Sequence, residues 1–147
     1  CNDRRWPETY RMMGLQGVEM IMLGYNTPAT EPPWGFEPTH LAGLHNNLSM
    51  QSGAYQNATW VIGVAKAGNE GGCDMMGGTL IVAPTGEIVA QGRTLEDELV
   101  VADCDLDACN HYKNTVFNFA EHRQPDQYGL ITETAGVILP PEDQAGE

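Results

Sequence analysis

Basic residues are scarce in this sequence: seven Lys and Arg stand against 20 Asp and Glu, so its 147 residues carry a formal net charge of −13. A surface this acidic repels phosphate backbones and anionic lipid headgroups, which excludes nucleic acids and anionic membranes as partners. Apolar runs long enough to span a bilayer are also lacking. In such a chain the adjacent pair Arg4 and Arg5 stands out, and we interpret it as a local anion site rather than as part of a basic surface.

Cysteine is sparse as well, and the four cysteines that are present form no C-x-x-C motif. Without a dense cysteine framework, a reduced, cytoplasmic protein is favoured over a secreted one held by disulfides. The four histidines show no zinc-binding spacing, since His40 and His45 are five residues apart and lack a third ligand nearby. We therefore predict neither a metal nor a cofactor.

Patterns of apolar residues predict an α/β layered fold in a single domain, residues 1–139, followed by a disordered acidic tail, residues 140–147. The strand that should accompany the first helix would precede Cys1, so we expect the chain to be truncated. The predicted elements are helices over 7–16 and 39–57, strands over 18–24, 60–66 and 99–103, loops over 26–38 and 68–78, a hairpin around 84–86 and a short helix from about residue 105.

The helix predicted over 39–57 is the longest element. Leu41, Leu44, Leu48 and Ala54 recur in it at helical spacing, and Thr39 could cap its first turn.

The opening stretch, CNDRRWPE, combines a cysteine with features that activate one. Cys1 stands a few residues before a helix predicted to begin at Pro7, and Arg4 and Arg5 add positive charge, so the thiolate is favoured over the thiol. The backbone N–H of Asn2 could face an oxyanion formed on a carbonyl that Cys1 attacks. Two guanidinium groups suit a substrate carboxylate. These residues indicate acyl transfer on a carboxylate-bearing small molecule. The alternatives are that Cys1 is a buried structural residue and that the two arginines are only part of a solvated face.

Five stretches of the sequence carry a family resemblance: CNDRRWPETYRMMGLQG, GYNTP, HLAGLHNNLSMQSGAYQNATW, IVAPTGEIVA and FNFAEHRQPDQYGLI. In this order they resemble segments of the nitrilase superfamily of carbon-nitrogen hydrolases, and most narrowly the N-carbamoyl-D-amino-acid amidohydrolases, or D-carbamoylases. CNDRRWPE is the most specific stretch, whereas IVAPTGEIVA discriminates little within the superfamily. The resemblance implies part of a four-layer αββα sandwich with its N-terminal portion missing, no cofactor, and a homo-oligomeric enzyme.

The resemblance also implies a role for individual residues. The family uses a Glu-Lys-Cys triad, in which Cys1 matches the nucleophile, and the glutamate and lysine are expected upstream of it. Lys66 and Lys113 lie too far downstream to match the triad lysine, and His45 resembles a family histidine near the site. The residues that match substrate-binding positions are Asn2, Arg4, Arg5, Asn26 and Thr27; for Asn26 and Thr27, turn chemistry ahead of Pro28 is the alternative.

The function that this resemblance implies is hydrolysis of N-carbamoyl-D-amino acids to the D-amino acid, carbon dioxide and ammonia. Three alternatives remain open. Cys1 could be an N-terminal nucleophile that uses its own α-amine as the base. The chain could belong to another nitrilase-superfamily amidase or ureido-acid hydrolase. It could also be a catalytically inert fragment, whose uncovered apolar face would then promote aggregation or pairing with the missing half.

Overall fold

The described part of the chain, residues 1–29 and 39–140 of a computed structural model, is built around a mixed four-stranded sheet with flanking helices. Its elements are α1 (Pro7–Leu15), β1 (Met20–Tyr25), α2 (Thr39–Asn57), β2 (Trp60–Ala65), β3 (Ala67–Glu70), β4 (Cys73–Met76), β5 (Leu80–Val82), β6 (Ile88–Gln91), α3 (Ala108–Lys113), α4 (Phe119–His122) and α5 (Gly129–Glu133). The sheet order is β1-β2-β5-β6, with β1 and β2 parallel and the other pairs antiparallel. The predicted α/β class is confirmed.

Helix α1 begins and ends where local signals place its limits. Pro7 occupies the first turn, where its missing N–H costs no hydrogen bond. Gly17 closes the helix with a positive φ of 78°, a conformation that glycine adopts without a Cβ clash. The N–H of Val18 then donates to the Met13 carbonyl over 3.3 Å. The chain passes directly from this turn into β1.

Helix α2 forms the crossover that parallel strands require, and it packs with α1 on one face of the sheet. Strands β1 and β2 pair in register from Met20 opposite Trp60 to Tyr25 opposite Ala65. The first core cluster fills the space between these helices and the sheet. Its buried members are Tyr10, Ile21, Tyr25, Met50, Ala54, Val61, Leu80 and Val82.

The bounds of α2 agree with the prediction. Its buried face is not the one with most leucine, since Leu44 and Leu48 are each 59% exposed. The buried stripe consists instead of one large apolar residue, Met50, and of small and polar residues, namely Ala42, Asn46, Gly53, Ala54 and Asn57. Small side chains let α2 approach its neighbours closely: a Cβ added at Gly53 would lie 2.5 Å from Cδ1 of Tyr10. The buried face of α2 is therefore the one whose small residues allow close packing, not the one with the most leucine.

The opposite face of the sheet carries a second core cluster, and one predicted strand is missing there. Residues 99–103 belong to no strand, so the strand predicted for them is wrong. Val100 and Ala102 nevertheless alternate inward and pack against a buried cluster that contains Trp60 and Cys109. The segment therefore covers the sheet without joining its hydrogen-bond ladder. The exposed apolar residues Met22 and Val64, on β1 and β2, are 74% and 56% exposed.

Residues 68–78, predicted to be a glycine-rich loop, contain most of a β-hairpin instead. Strands β3 and β4 pair from Ala67 opposite Met76 to Glu70 opposite Cys73. Gly71 and Gly72 form the turn with φ values of 59° and 85°, the pair of positive values that a two-residue hairpin turn demands. The glycines supply the turn of a hairpin rather than an irregular loop. The other predicted hairpin, around residues 84–86, is confirmed between β5 and β6.

The remaining predictions concern the C-terminal region and the proline-rich loop. Residues 108–133 contain several short helices, which agrees with the short helix predicted from about residue 105. Part of the predicted proline-rich loop, residues 30–38, lies outside the described residues, as does the tail from residue 141 and the side chain of Thr39. Across residues 1–29 and 39–140, no helix has the length and apolarity needed to cross a membrane.

The buried hydroxyl of Tyr10 leads to a stability prediction. It has no hydrogen-bond partner among the described residues. Burial raises the pKa of Tyr10 to about 12, against a smaller lowering by Arg4. We expect Tyr10→Phe to increase the free energy of unfolding at pH 7 by about 1 kcal/mol, because it removes an unpaired buried polar group. Urea unfolding of the protein at its full encoded length measures this.

The same substitution should change the alkaline limit of stability. Since the folded-state pKa of Tyr10 is raised, the unfolded chain releases this proton first, and stability falls as pH rises from about 10 through about 12. Tyr10→Phe removes that contribution, so its advantage should grow above pH 10. Tyr55, which is 39% exposed, is the control: an equal gain from Tyr55→Phe would contradict the explanation.

Candidate active site

The site begins with a 3₁₀ turn over Asn2–Arg5 that leads into α1. In this turn the Trp6 N–H donates to the Asp3 carbonyl over 3.2 Å. Tight local winding points neighbouring side chains in different directions, so Arg4 is only 4% exposed while Arg5 is exposed. Cys1 is exposed beside the turn. The two arginines that are adjacent in sequence therefore have unlike surroundings.

The Arg4 guanidinium is the centre of a buried polar cluster. Its Nε donates to Oδ1 of Asn46 over 3.0 Å, and one terminal nitrogen, Nη2, donates to Oγ1 of Thr27 over 2.8 Å. The other, Nη1, donates to the carbonyl of Cys1 and lies 3.6 Å from Sγ of the same residue. The guanidinium carbon also stands 4.3 Å from the ring centroid of Tyr25, a cation–π contact. A cation is thus fixed directly beside the Cys1 thiol.

A second row of hydrogen bonds holds the partners of Arg4 in place. Nδ2 of Asn46 donates to the Tyr25 hydroxyl over 3.1 Å, and that hydroxyl donates to the Gly78 carbonyl over 2.8 Å. Burial raises the pKa of Tyr25, while the Asn46 bond acts in the opposite direction. The hydroxyl therefore stays protonated and can donate. Asn46 and Tyr25 are not among the predicted site residues; the only sequence signal is the polar side chain of Asn46 within the predicted helix.

The segment that carries Thr27 is held by the β3–β4 hairpin. The Met76 N–H donates to the Thr27 carbonyl over 2.9 Å, and the Ala29 N–H donates to the Asp74 carbonyl over 2.7 Å. Pro28 forms a β-bridge with Met75 between these two bonds. The hairpin that the sequence fails to predict thus fixes the position of the Thr27 hydroxyl against Arg4.

The structure places the other predicted site residues as follows. Asn2 is exposed next to Cys1, and Asn26 is exposed at the end of β1. A cavity of about 240 Å³ opens beside Cys1 and is also lined by Asp3 and Arg4. Arg5 lies at a second cavity of about 330 Å³, which it shares with Arg4. Cys1, Arg4 and Thr27 are therefore brought together, whereas a joint role for Arg5 stays a prediction.

The two lysines have partners of their own. Nζ of Lys66 lies 2.9 Å from a carboxylate oxygen of Glu70, and Nζ of Lys113 donates to the Val18 carbonyl over 3.2 Å. His45 is half-buried on α2, and its carbonyl accepts a hydrogen bond from Ser49. Within the ranges that the structure describes, no group of three His, Cys, Asp or Glu side chains could hold a metal ion.

Comparison with known proteins identifies a family whose model matches this chain. Residues 1–114 match the family model described as "Carbon-nitrogen hydrolase". A curated N-carbamoylputrescine amidase from Solanum tuberosum is 30% identical over 148 residues, which cover 92% of this chain and 46% of that enzyme. The fold is similar to that of a carbon-nitrogen hydrolase from Helicobacter pylori G27, with a TM-score of 0.77, 20% identity, and coverage of 92% of this chain and 48% of the other.

A third relative is an amidase with an active-site cysteine. This enzyme, from Nesterenkonia sp. AN1, was solved as a mutant that shows the result of Michael addition of acrylamide at that cysteine. It matches with a TM-score of 0.54 and 20% identity over 80% of this chain and 42% of its own. At this identity the likeness concerns the fold alone. The chain spans about half the length of the relatives it matches, and its mixed sheet with flanking helices corresponds to part of their fold.

Proposed function

The chain belongs to the carbon-nitrogen hydrolase family, and from this premise we propose that the protein, at its full encoded length, hydrolyses the carbamoyl C–N bond of N-carbamoyl-D-amino acids. None of the three relatives described above is named as a D-carbamoylase, so the narrower assignment is our own. It follows the resemblance of CNDRRWPE to D-carbamoylases. The D configuration in particular rests on that resemblance.

The observation that carries the proposal is the position of the Arg4 guanidinium. One of its terminal nitrogens lies 3.6 Å from Sγ of Cys1 and the other lies 2.8 Å from Oγ1 of Thr27. In an N-carbamoyl amino acid, the carboxylate is separated from the ureido carbon by only the α-carbon and one nitrogen. A cation this close to the nucleophile can therefore hold the carboxylate while the thiol reaches the ureido carbon.

The proposed reaction proceeds in two stages. The Cys1 thiolate forms a bond to the ureido carbon, and the resulting oxyanion can accept a hydrogen bond from the Asn2 N–H. The C–N bond to the α-nitrogen breaks, and the amino acid leaves after gaining a proton. Water then attacks the S-carbamoyl intermediate, which releases the thiolate and carbamate; the carbamate decomposes to carbon dioxide and ammonia. We assign neither the general base nor the triad lysine to any residue of 1–147.

A second candidate function is hydrolysis of a carbamoylated amine, and a different observation favours it. Asp3 lines the same cavity as Cys1, and a carboxylate there could meet a cationic substrate tail. A relative named N-carbamoylputrescine amidase covers most of this chain. The two candidate substrates carry opposite charges at the group that the site must bind, so an experiment with both can distinguish them.

That experiment compares initial rates of ammonia release from the protein at its full encoded length. The substrates are N-carbamoyl-D-phenylalanine, its L enantiomer and N-carbamoylputrescine. Preference for the D enantiomer over both others supports the proposal. Preference for N-carbamoylputrescine would replace it with the second candidate, and equal rates on the two enantiomers would remove the D assignment.

Arg4→Ala should raise KM for N-carbamoyl-D-phenylalanine by about 10- to 100-fold, the effect of losing one charge-assisted contact in a dry site. N-carbamoylbenzylamine, which lacks the carboxylate, should be affected much less. Arg5→Ala should have a smaller effect, because exposed charge pairs are weak. Arg93→Ala provides the control, since it removes the same charge from an exposed site. Unchanged KM values for both Arg4→Ala and Arg5→Ala would remove these arginines from carboxylate binding.

A further inference from the structure

We propose that Asn46 of α2 is a positioning residue that aims the Arg4 guanidinium at Cys1 and Thr27. The inference rests on the proposed function in one respect: Cys1 is taken as the reacting residue. It adds a residue that lies neither in the opening stretch nor among the site residues matched by resemblance. It assigns a task to a buried polar side chain on a helix face that also carries Ala42, Met50 and Ala54.

The shape of the guanidinium makes its orientation depend on each hydrogen bond. The group is planar, and its five N–H donors point in fixed directions. Once Nε is bound to Oδ1 of Asn46 at 3.0 Å, the plane can no longer rotate about the end of the side chain. Both terminal nitrogens are then directed, one to Cys1 and one to Thr27. Without Asn46, Nε would be a buried donor that needs another partner, and reorienting to find one would move both terminal nitrogens.

Asn46 also has its own orientation fixed. Its amide nitrogen donates to the Tyr25 hydroxyl, which donates onward to the Gly78 carbonyl. A flipped amide would present Nδ2 to the Arg4 Nε, so two donors would face each other. Asn46 and Tyr25 are 3% and 5% exposed, which excludes water as an easy substitute. The order of donors and acceptors therefore permits one arrangement of Asn46, and that arrangement offers an acceptor to Arg4.

The competing explanation is that the cluster only stabilises the fold. A buried asparagine with the same burial and a purely local bond is available for comparison on the same helix. Asn57 is 2% exposed, and its Nδ2 donates to the Gly53 carbonyl over 2.9 Å. Replacing either asparagine with alanine removes a buried amide from α2, but only Asn46→Ala removes the acceptor of Arg4. The pair separates positioning from general destabilisation.

The test measures alkylation of Cys1 by iodoacetate and by iodoacetamide in the protein at its full encoded length. In both reactions the thiolate forms an S–C bond and iodide leaves with the electrons of the C–I bond; only the charge of the reagent differs. The ratio of the two rates at Cys1, obtained from peptide mass spectrometry, reports whether a cation faces the thiol. Cys104 in the same sample provides an internal reference for reagent reactivity.

We expect Asn46→Ala to lower the iodoacetate-to-iodoacetamide ratio at Cys1 by about fivefold or more, with Asn57→Ala within twofold of the starting protein. Tyr25→Phe keeps the ring under Arg4 and removes only the hydroxyl, so it should lower the ratio in the same direction by a smaller factor. It also keeps the test decisive if Asn46→Ala does not fold. An unchanged ratio in the folded variants, or an equal fall in Asn57→Ala, overturns the inference.

Kinetics add a readout that a structural role would not move. In Asn46→Ala, KM for N-carbamoyl-D-phenylalanine should rise more than KM for N-carbamoylbenzylamine. If the protein turns over neither substrate, the proposed function fails while the alkylation ratio still decides the role of Asn46. If turnover persists and the ratio is insensitive to Asn46, only the inference fails.

Discussion

Cys1→Ala is expected to reduce kcat of the full-length protein by about 10⁴-fold or more, because removing the nucleophile of a covalent mechanism leaves only binding and oxyanion stabilisation. The expectation depends on the position of Cys1, exposed at a cavity and 3.6 Å from a guanidinium nitrogen of Arg4. The measurement is ammonia release under saturating substrate. Binding of substrate, followed by calorimetry, should survive the substitution, since Arg4 and Thr27 remain.

The matched control is Cys104→Ala, which removes a half-buried thiol from the segment that covers the opposite face of the sheet. Its kcat should stay within about twofold of the starting protein, since surface and partly buried substitutions away from a site have small effects. Retention of full activity by Cys1→Ala would exclude the cysteine mechanism. Loss of activity on blocking the Cys1 α-amine alone would instead favour the N-terminal-nucleophile alternative.

The second large effect concerns the contact between α1 and α2. Gly53→Ala is expected to lower the free energy of unfolding by about 2–3 kcal/mol, as overpacking in a closely fitted core does. The new Cβ would lie 2.5–2.7 Å from three ring atoms of Tyr10, closer than carbon atoms can approach. Tyr10 is 3% exposed, so its enclosed ring must shift to admit the new Cβ. Chemical denaturation gives the value directly.

Gly43→Ala is the control for this substitution, because Gly43 lies on the same helix and an added Cβ meets nothing within 4 Å. Alanine is favoured over glycine in a helix, so this variant should gain about 0.5–1 kcal/mol. The two substitutions are chemically identical and should have opposite signs. A gain in both would mean that α1 and α2 are not in close contact.

The limits of the two long helices depend on residues close together in the sequence, so the sequence predicts them. Pro7 and Gly17 set the limits of α1, and spacing alone predicts the bounds of α2 correctly. The buried face of α2 cannot be predicted in this way. Leu44 and Leu48 are the more hydrophobic residues, but the face that carries Gly53 is buried because it allows α1 to pack closely against α2. The strand predicted over 99–103 is wrong for a related reason: alternation predicts burial of one face, but a ladder also needs a partner strand.

The candidate site also combines residues that the sequence predicts with residues that it does not. Cys1 and Arg4 can be predicted because they lie close together in the sequence, and Thr27 because it resembles a family position. Asn46 and Tyr25 cannot, since their roles depend on contacts with Arg4 that only the folded chain creates. No sequence pattern separates Arg4 from Arg5 either, because the difference between a buried and an exposed guanidinium arises from the 3₁₀ turn.

The hydrogen bonds around Arg4 span long distances along the chain, and this affects how the protein is made. Arg4 meets Asn46 across 42 residues, and Tyr25 meets Gly78 across 53. The ribosome makes Arg4 before the residues that it contacts, so Arg4 must remain hydrated until α2, β2 and the hairpin have all emerged and docked. Contacts of this separation form late, after the entropy of closing large loops has been overcome. The chemistry of the site is therefore assembled near the end of folding of this region, and a thiol that emerges early acquires its fixed cationic neighbour only when the surrounding structure is complete.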